Sequence, residues 1–251
     1  MTQHLFIITG ASRGLGHAMA QQLLQPGNML LCISRSTSEA LTVQAKQLGA
    51  HLLQWTQDLA RGAATSARLE QWLREQTASS FASVTLINNA GVIPRIGPLS
   101  EVDADDLSKA LRVGLEAPMQ LTSAFLRATA HWPAERKVLN ISSGLGRRAM
   151  ASQAGYCAAK AGMDHFTRCV ALEETLKTNG AKICSLAPGV IDTGMQEQLR
   201  AAGSTAFPDH QSFLNLKTSS ALTSPGDAAK NILEVLARTD FGINPVADVR
   251  D

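Results

Sequence analysis

Tyr156 and Lys160 stand four residues apart in the run Tyr156-Cys157-Ala158-Ala159-Lys160, and Tyr156 is the only tyrosine in the chain. On a helix this spacing puts both side chains on one face, close enough to interact. A free phenol titrates near about 10 and shuttles protons poorly at neutral pH. A neighbouring ammonium favours the phenolate and is expected to lower that value. The pair could then act as general acid toward a carbonyl or general base toward an alcohol. Ser143 lies 13 residues upstream, at the end of an apolar run, where its hydroxyl could hold the oxygen that Tyr156 protonates. Such a tyrosine–lysine spacing arises by chance in many helices, so by itself it defines no site.

A second signature begins at Thr9-Gly10-Ala11-Ser12-Arg13-Gly14-Leu15-Gly16, directly after the apolar stretch HLFIIT. Glycines there permit a tight turn and close backbone approach to a pyrophosphate. A helix opening at this point offers free N–H groups and the positive end of its dipole to the anion. The spacing is GxxxGxG, not the GxGxxG of the standard dinucleotide fingerprint. The second apolar run ends Ile33-Ser34-Arg35-Ser36, without the acid that binds ribose hydroxyls in NAD-type sites. A guanidinium there binds a 2′-phosphate through several donors, and Arg13 can reach the same group. Arg13 and Arg35 with no acid thus point to NADP(H) over NAD(H), and Gly10, Ser12, Gly14, Leu15, Gly16 and Ser34 are the other candidate cofactor contacts here. An oxidised nicotinamide, being cationic, would add to the pull of Lys160 on the Tyr156 phenol.

The elements that must position these groups alternate along the chain. Unbroken apolar runs at 4–9, 29–34, 50–55, 84–88, 137–142 and 182–187 suit strands buried on both faces, hence a parallel sheet. Helix-period segments lie near 14–25, 37–48, 61–77, 103–112, 116–130, 155–178 and 225–238. The last starts with Ser224 as cap and Pro225 in the first turn. Repeated β-α-β units imply an α/β, doubly wound sheet with right-handed crossovers. Residues 1–251 are expected to form a single domain. The least regular stretch, 193–224, is too long for an ordinary connection and is expected to be a substrate lid.

Composition narrows the function classes. A net charge of +2 over 251 residues gives no positive field for nucleic acid or anionic lipid, and 4% aromatic content is poor for base stacking. No stretch approaches the roughly 18 apolar residues of a membrane span. Cys32, Cys157, Cys169 and Cys184 form no CxxC pair, and the six histidines show no metal-ligand spacing, so no metal is expected. The reading is a cytoplasmic protein acting on a small molecule. The text around Ser143 does not match the G-x-S-x-G of a hydrolase.

Taken together the motifs resemble those of the short-chain dehydrogenase/reductase family: T-G-x-x-x-G-x-G at Thr9–Gly16, N-N-A-G at Asn88–Gly91, Ser143, Y-x-x-x-K at Tyr156–Lys160 and P-G-x-x-x-T at Pro188–Thr193. The resemblance spans nearly the whole chain. It implies one Rossmann-like domain with a seven-stranded parallel sheet flanked by helices, hydride transfer at a nicotinamide, and a homodimer or homotetramer. It assigns Ser143 to substrate orientation, Tyr156 to proton transfer, and Lys160 to the nicotinamide ribose. It places Asp58 and Leu59 at the adenine, and Asn88, Ala90 and Gly91 in the cofactor wall. Pro188, Gly189, Ile191 and Thr193 fall to the nicotinamide and diphosphate.

The chain departs from the family pattern at Gly114, where members carry an asparagine that helps hold a water linking the lysine to solvent. That puts the proton relay in question, with a second water expected to fill the space. The runs Asn140–Gly144, Tyr156–Lys160, Cys169–Glu174 and Asp192–Gln196 are also similar to benzil reductases and sepiapterin reductases. This implies an NADPH-dependent carbonyl reductase for a ketone or vicinal diketone. Its pocket would be lined by Ser143, Leu145, Tyr156 and Met195, with Ile93 and Met150. An alcohol dehydrogenase, a β-ketoacyl reductase and a non-catalytic NADP(H) sensor remain as alternatives. The helices near 116–130 and 155–178 are expected to pair between subunits, with Ala158, Ala161 and Gly162 permitting close approach.

Overall fold

The computed structural model describes residues 3–251. Seven strands, β1 (Gln3–Thr9), β2 (Asn28–Ser34), β3 (His51–Thr56), β4 (Phe81–Asn88), β5 (Glu135–Ile141), β6 (Lys182–Ala187) and β7 (Val246–Asp248), form one sheet in the order β3-β2-β1-β4-β5-β6-β7. Every pair is parallel. The six apolar runs are six of these strands. The seventh has only three residues, at the sheet edge.

The unbroken apolar character of the strands follows from two covered faces. In β1, Ile8 packs into a core with α1 (Gly14–Leu23) and α9 (Pro225–Ala237), while Leu5 and Ile7 face a core with α3 (Gly62–Arg74) and α5 (Ala117–Ala128). The same split divides Leu30 and Cys32 from Leu31 and Ile33 in β2, since successive side chains point to opposite faces. Helix starts follow their caps: Ser38 accepts from the Leu41 amide to open α2 (Glu39–Leu48), and Ser224 accepts from the Asp227 amide at 3.1 Å to open α9.

The segment 193–224 is not irregular. It holds α7 (Gly194–Ala201) and α8 (His210–Thr218), with Leu199, Phe207 and Phe213 buried against Ile93, Ile96 and Met150. Its helices escape the eye because their few apolar side chains serve this small local core, not the main one. The two ends of the excursion are drawn together where the Asp192 amide donates to the Thr223 carbonyl at 2.9 Å and Lys217 bonds Asp192 at 2.6 Å.

Candidate functional site

Strand order reverses at β1, whose neighbours β2 and β4 leave in opposite directions, and ligands of open α/β sheets bind in the crevice at such a point. The glycine loop lies there. Gly10 and Gly14 have φ of 69° and 57°, a left-handed backbone that side chains resist. Gly16 is required by closeness instead: a Cβ there would overlap the Gly10 carbonyl oxygen and the Asn89 side chain. Arg13 is the extended residue before α1, and its side chain is exposed.

Two residues absent from the sequence-based site hold this loop in place. The Thr9 hydroxyl accepts from the Asn89 and Ala90 amides at 2.9 and 3.0 Å. The Asn89 side-chain amide donates to the Thr9 and Gly10 carbonyls at 2.9 and 3.3 Å. Both lie within quoted motifs, but only the fold shows that the β4 end is the brace of the β1 end. The neighbouring Asn88 side chain points elsewhere: it donates to Asn140 at 2.8 Å and Thr122 at 3.2 Å inside the core. Asn88 therefore ties β4 to β5, and what reaches the crevice is the backbone that follows it.

At the end of β2, Ser34 is buried and its hydroxyl has no protein partner, while Arg35 beside it is exposed. An orphan buried hydroxyl and a free guanidinium at this position fit a phosphorylated ribose. Asp58 and Leu59 follow β3, where the Asp58 carboxylate accepts from the Ala60 amide at 3.0 Å and Leu59 is buried. Pro188, Gly189, Ile191 and Thr193 follow β6. Thr193 reaches over the glycine loop, 3.7 Å from where a Gly14 Cβ would stand. With the orphan Ser34 hydroxyl and the exposed Arg13 and Arg35 beside the glycine loop, the residues present fit a dinucleotide.

Ser143, Tyr156 and Lys160 are brought together at the carboxyl end of β5. Ser143 caps a tight turn at 144–146, its hydroxyl accepting from the Leu145 amide at 3.2 Å. Tyr156 and Lys160 sit in the first turns of α6 (Ala154–Thr175), both buried. The Lys160 ammonium donates to the Ile141 carbonyl at 2.6 Å and lies 5.7 Å from the Tyr156 ring centroid. Burial pushes the Tyr156 phenol up to about 12, with the facing Ser143 hydroxyl pulling the other way. In the protein alone, burial of the ring outweighs the pull of the Ser143 hydroxyl. Burial likewise brings Lys160 down to about 8, partly offset by Asp164.

Leu145 and Met195 are half-buried, Leu145 on the 144–146 turn that Ser143 caps and Met195 on α7. Gly114 lies in a π-helical turn, Arg112–Glu116, between α4 (Ala104–Leu111) and α5. A Cβ there would stand 3.1 Å from the Ala159 Cβ, tighter than ordinary contact. This turn therefore approaches α6 closely at Ala159, next to Lys160. Gly162 faces Leu115 of its own chain, whereas Ala158 and Ala161 are exposed. No group of three or more histidine, cysteine or acidic side chains arranged to hold a metal occurs among the described residues. No helix among them is long and apolar enough to cross a membrane.

A buried tyrosine and lysine beside a serine, set next to a glycine loop at the switch point of a parallel sheet, are a candidate site for nucleotide-dependent oxidoreduction. The family model for short chain dehydrogenases matches residues 4–203, and the chain belongs to that family. It is similar to a benzil reductase ((S)-benzoin forming) from Bacillus cereus, 36% identical over 94% of each chain. It is 31% identical to a sepiapterin reductase from Meriones unguiculatus, over 98% of this chain and 95% of the relative. The crystal structure of the KRED1-Pglu enzyme superposes with a TM-score of 0.80 at 26% identity, covering 97% of this chain and all of the other.

Proposed function

We propose that the protein is an NADPH-dependent carbonyl reductase that reduces a ketone or one carbonyl of a vicinal diketone such as benzil, with Tyr156 as proton donor. The observation that carries this reading is the buried Tyr156 phenol, faced by Ser143 and followed one turn on by Lys160. The Ser143 hydroxyl opposes the upward pull of burial on the phenol, which carries its proton at neutral pH. That is the state a reductase needs, because a carbonyl carbon that accepts hydride leaves an oxygen that must be protonated. The Ser143 hydroxyl orients this oxygen, Tyr156 donates its proton to it, and the Lys160 ammonium offsets the phenolate left behind. NADPH, when bound, supplies the hydride. Gly10, Ser12, Gly14, Leu15 and Gly16 would hold its diphosphate, and Ser34, Arg13 and Arg35 its 2′-phosphate.

The apolar side chains Ile93 and Met150, packed against the 193–224 lid, suit a bulky aryl carbonyl, and the similar Bacillus cereus protein is named for reducing benzil to (S)-benzoin. The reading takes residues 1–251 as one domain. It also places the protein in the cytoplasm, where four unpaired cysteines are stable, as a homodimer or homotetramer. The exposed Met119, Leu172 and Leu176 on α5 and at the end of α6 are the support for pairing through these helices.

The test is NADPH oxidation with benzil by wild type and Tyr156→Phe. Turnover by the wild type, lost in Tyr156→Phe while NADPH still binds, is expected. No turnover on any aryl ketone or diketone, with tight NADPH binding, would sink the reductase reading and favour a sensor.

A further inference from the structure

The catalytic face of α6 carries one more charged residue. Asp164 follows Lys160 by four residues, so Tyr156, Lys160 and Asp164 form one stripe along the helix. Asp164 is 1% exposed. Its carboxylate accepts from the Ser142 hydroxyl at 2.6 Å, the Ser185 hydroxyl at 2.7 Å and Arg147 Nε at 3.3 Å. Each donor comes from a different element: the end of β5, the middle of β6, and the turn after Ser143. Arg147 goes on to donate to the Ala247 carbonyl in β7 at 2.7 Å. Gly146 makes the approach feasible, since a Cβ there would meet Asp164 Oδ2 at 2.8 Å and the Lys160 carbonyl at 3.0 Å. Ser142 and Arg147 thus bracket Ser143, and both are anchored on one buried carboxylate.

We propose that Asp164 is a positioning residue for the reaction, clamping the segment that carries Ser143 against the Tyr156–Lys160 face of α6. A buried charge with three partners is costly to form and rigid once formed. It fixes the Ser143 hydroxyl to the tolerance that proton transfer requires. It also acts on charge: Asp164 favours the ammonium of Lys160 against burial. The other groups facing the carboxylate are the Arg147 guanidinium and the Cys184 thiol of β6, the latter held neutral by burial at about 11. Lys160 itself is faced by the Ile141 carbonyl of β5 and, on its own helix, by Tyr156 and the Met163 sulfur.

The inference rests on the reductase reading, and one experiment separates the two. Tyr156→Phe, Asp164→Asn and Ser142→Ala are compared with wild type for NADPH oxidation with benzil across pH, alongside NADPH binding and circular dichroism. Asp164→Asn is expected to stay folded and bind NADPH. Its kcat should fall about tenfold, with KM for benzil changed less than about twofold. Loss of the anion lowers the Lys160 pKa further, so the alkaline limb of kcat should move toward acid by about one pH unit. Ser142→Ala should lower kcat without moving that limb, since the carboxylate stays. Wild-type kcat and an unmoved limb in Asp164→Asn, with Tyr156→Phe inactive, would overturn the role of Asp164 and leave the reductase reading intact. If Asp164→Asn does not fold, Ser142→Ala decides: unchanged kcat overturns the clamp, and lowered kcat supports it. Full turnover by Tyr156→Phe would overturn the reductase reading, and the inference with it.

Discussion

Lys160→Met separates what the site costs the fold from what it does for the reaction. Lys160 is 4% exposed, and burial takes its pKa from 10.5 to about 8. At about 1.4 kcal/mol per pH unit, holding this ammonium in the folded protein at pH 7 costs about 3 kcal/mol. Methionine has nearly the same length and carries no charge. Its substitution also removes the 2.6 Å bond to the Ile141 carbonyl, a loss on the order of 1–3 kcal/mol. The variant should therefore unfold with about 1 kcal/mol more free energy than wild type at pH 7, while losing turnover. The pH dependence carries the sharper sign. The unfolded chain keeps the lysine proton up to 10.5, the folded protein only to about 8. Between these values the unfolded state binds more protons, so wild-type stability rises with pH and the variant's advantage shrinks or reverses. Above pH 10 the raised phenol of Tyr156 makes stability fall, but equally in both proteins. Urea denaturation of both proteins at several pH values measures the difference. A gap that stays constant between pH 7 and pH 10 would refute the claim that burial depresses the Lys160 pKa.

Two further outcomes follow from named contacts. On the proposed NADPH reading, Arg35→Asp removes a donor from the 2′-phosphate and adds repulsion. NADPH affinity should drop by about 2 kcal/mol, roughly thirtyfold in Kd, with NADH affinity equal or better in fluorescence titration. Gly114→Asn forces a side chain into the 3.1 Å approach to Ala159, next to Lys160. Tm should fall by several degrees and kcat should drop, and a variant with wild-type Tm and kcat would show that the π-helical turn yields without cost.

Much of the site was legible because its parts are local in the chain. The glycine loop, the tyrosine–lysine pair and Ser143 each depend on spacing within a few residues or on the end of a strongly apolar run. The six long strands were legible for a similar reason, as both their faces are covered. The rest depends on contacts between distant segments. β7 has three half-buried residues and no pattern to announce it. α7, α8 and the connection between them bury Leu199, Phe213 and Phe207 in a satellite core, so the helices' few apolar positions do not repeat at the period of the main helices. Asn89 braces Gly10 from 79 residues away, and Asp164 reaches Ser142 across 22. The sequence offered one usable hint for Asp164, an acid four residues after Lys160 on the same face. The effect of burial on the phenol is likewise invisible to spacing, because it depends on how the fold packs around Tyr156.

The polar stripe on α6 explains how a reactive pair can sit in so apolar a frame. Beyond Asp164 the stripe continues to Thr167, whose hydroxyl accepts from Asn140 at 2.9 Å, while Asn140 accepts from Asn88 at 2.8 Å. Lys160, Asp164 and Thr167 thus each meet a different point near the carboxyl ends of β5 and β6, and Asn88 extends the chain of bonds to β4. A helix packed only by apolar contacts could slide or roll by small amounts at little cost. One keyed by directional bonds to strand ends cannot, because each slip would leave a buried polar group unpaired. The strand ends that hold the stripe belong to the same sheet that sets the glycine loop through Asn89 and Thr9. Tyr156 and the crevice at the glycine loop are therefore referenced to one rigid frame, which is what the proposed hydride transfer, with its tight distance limits, demands of its scaffold.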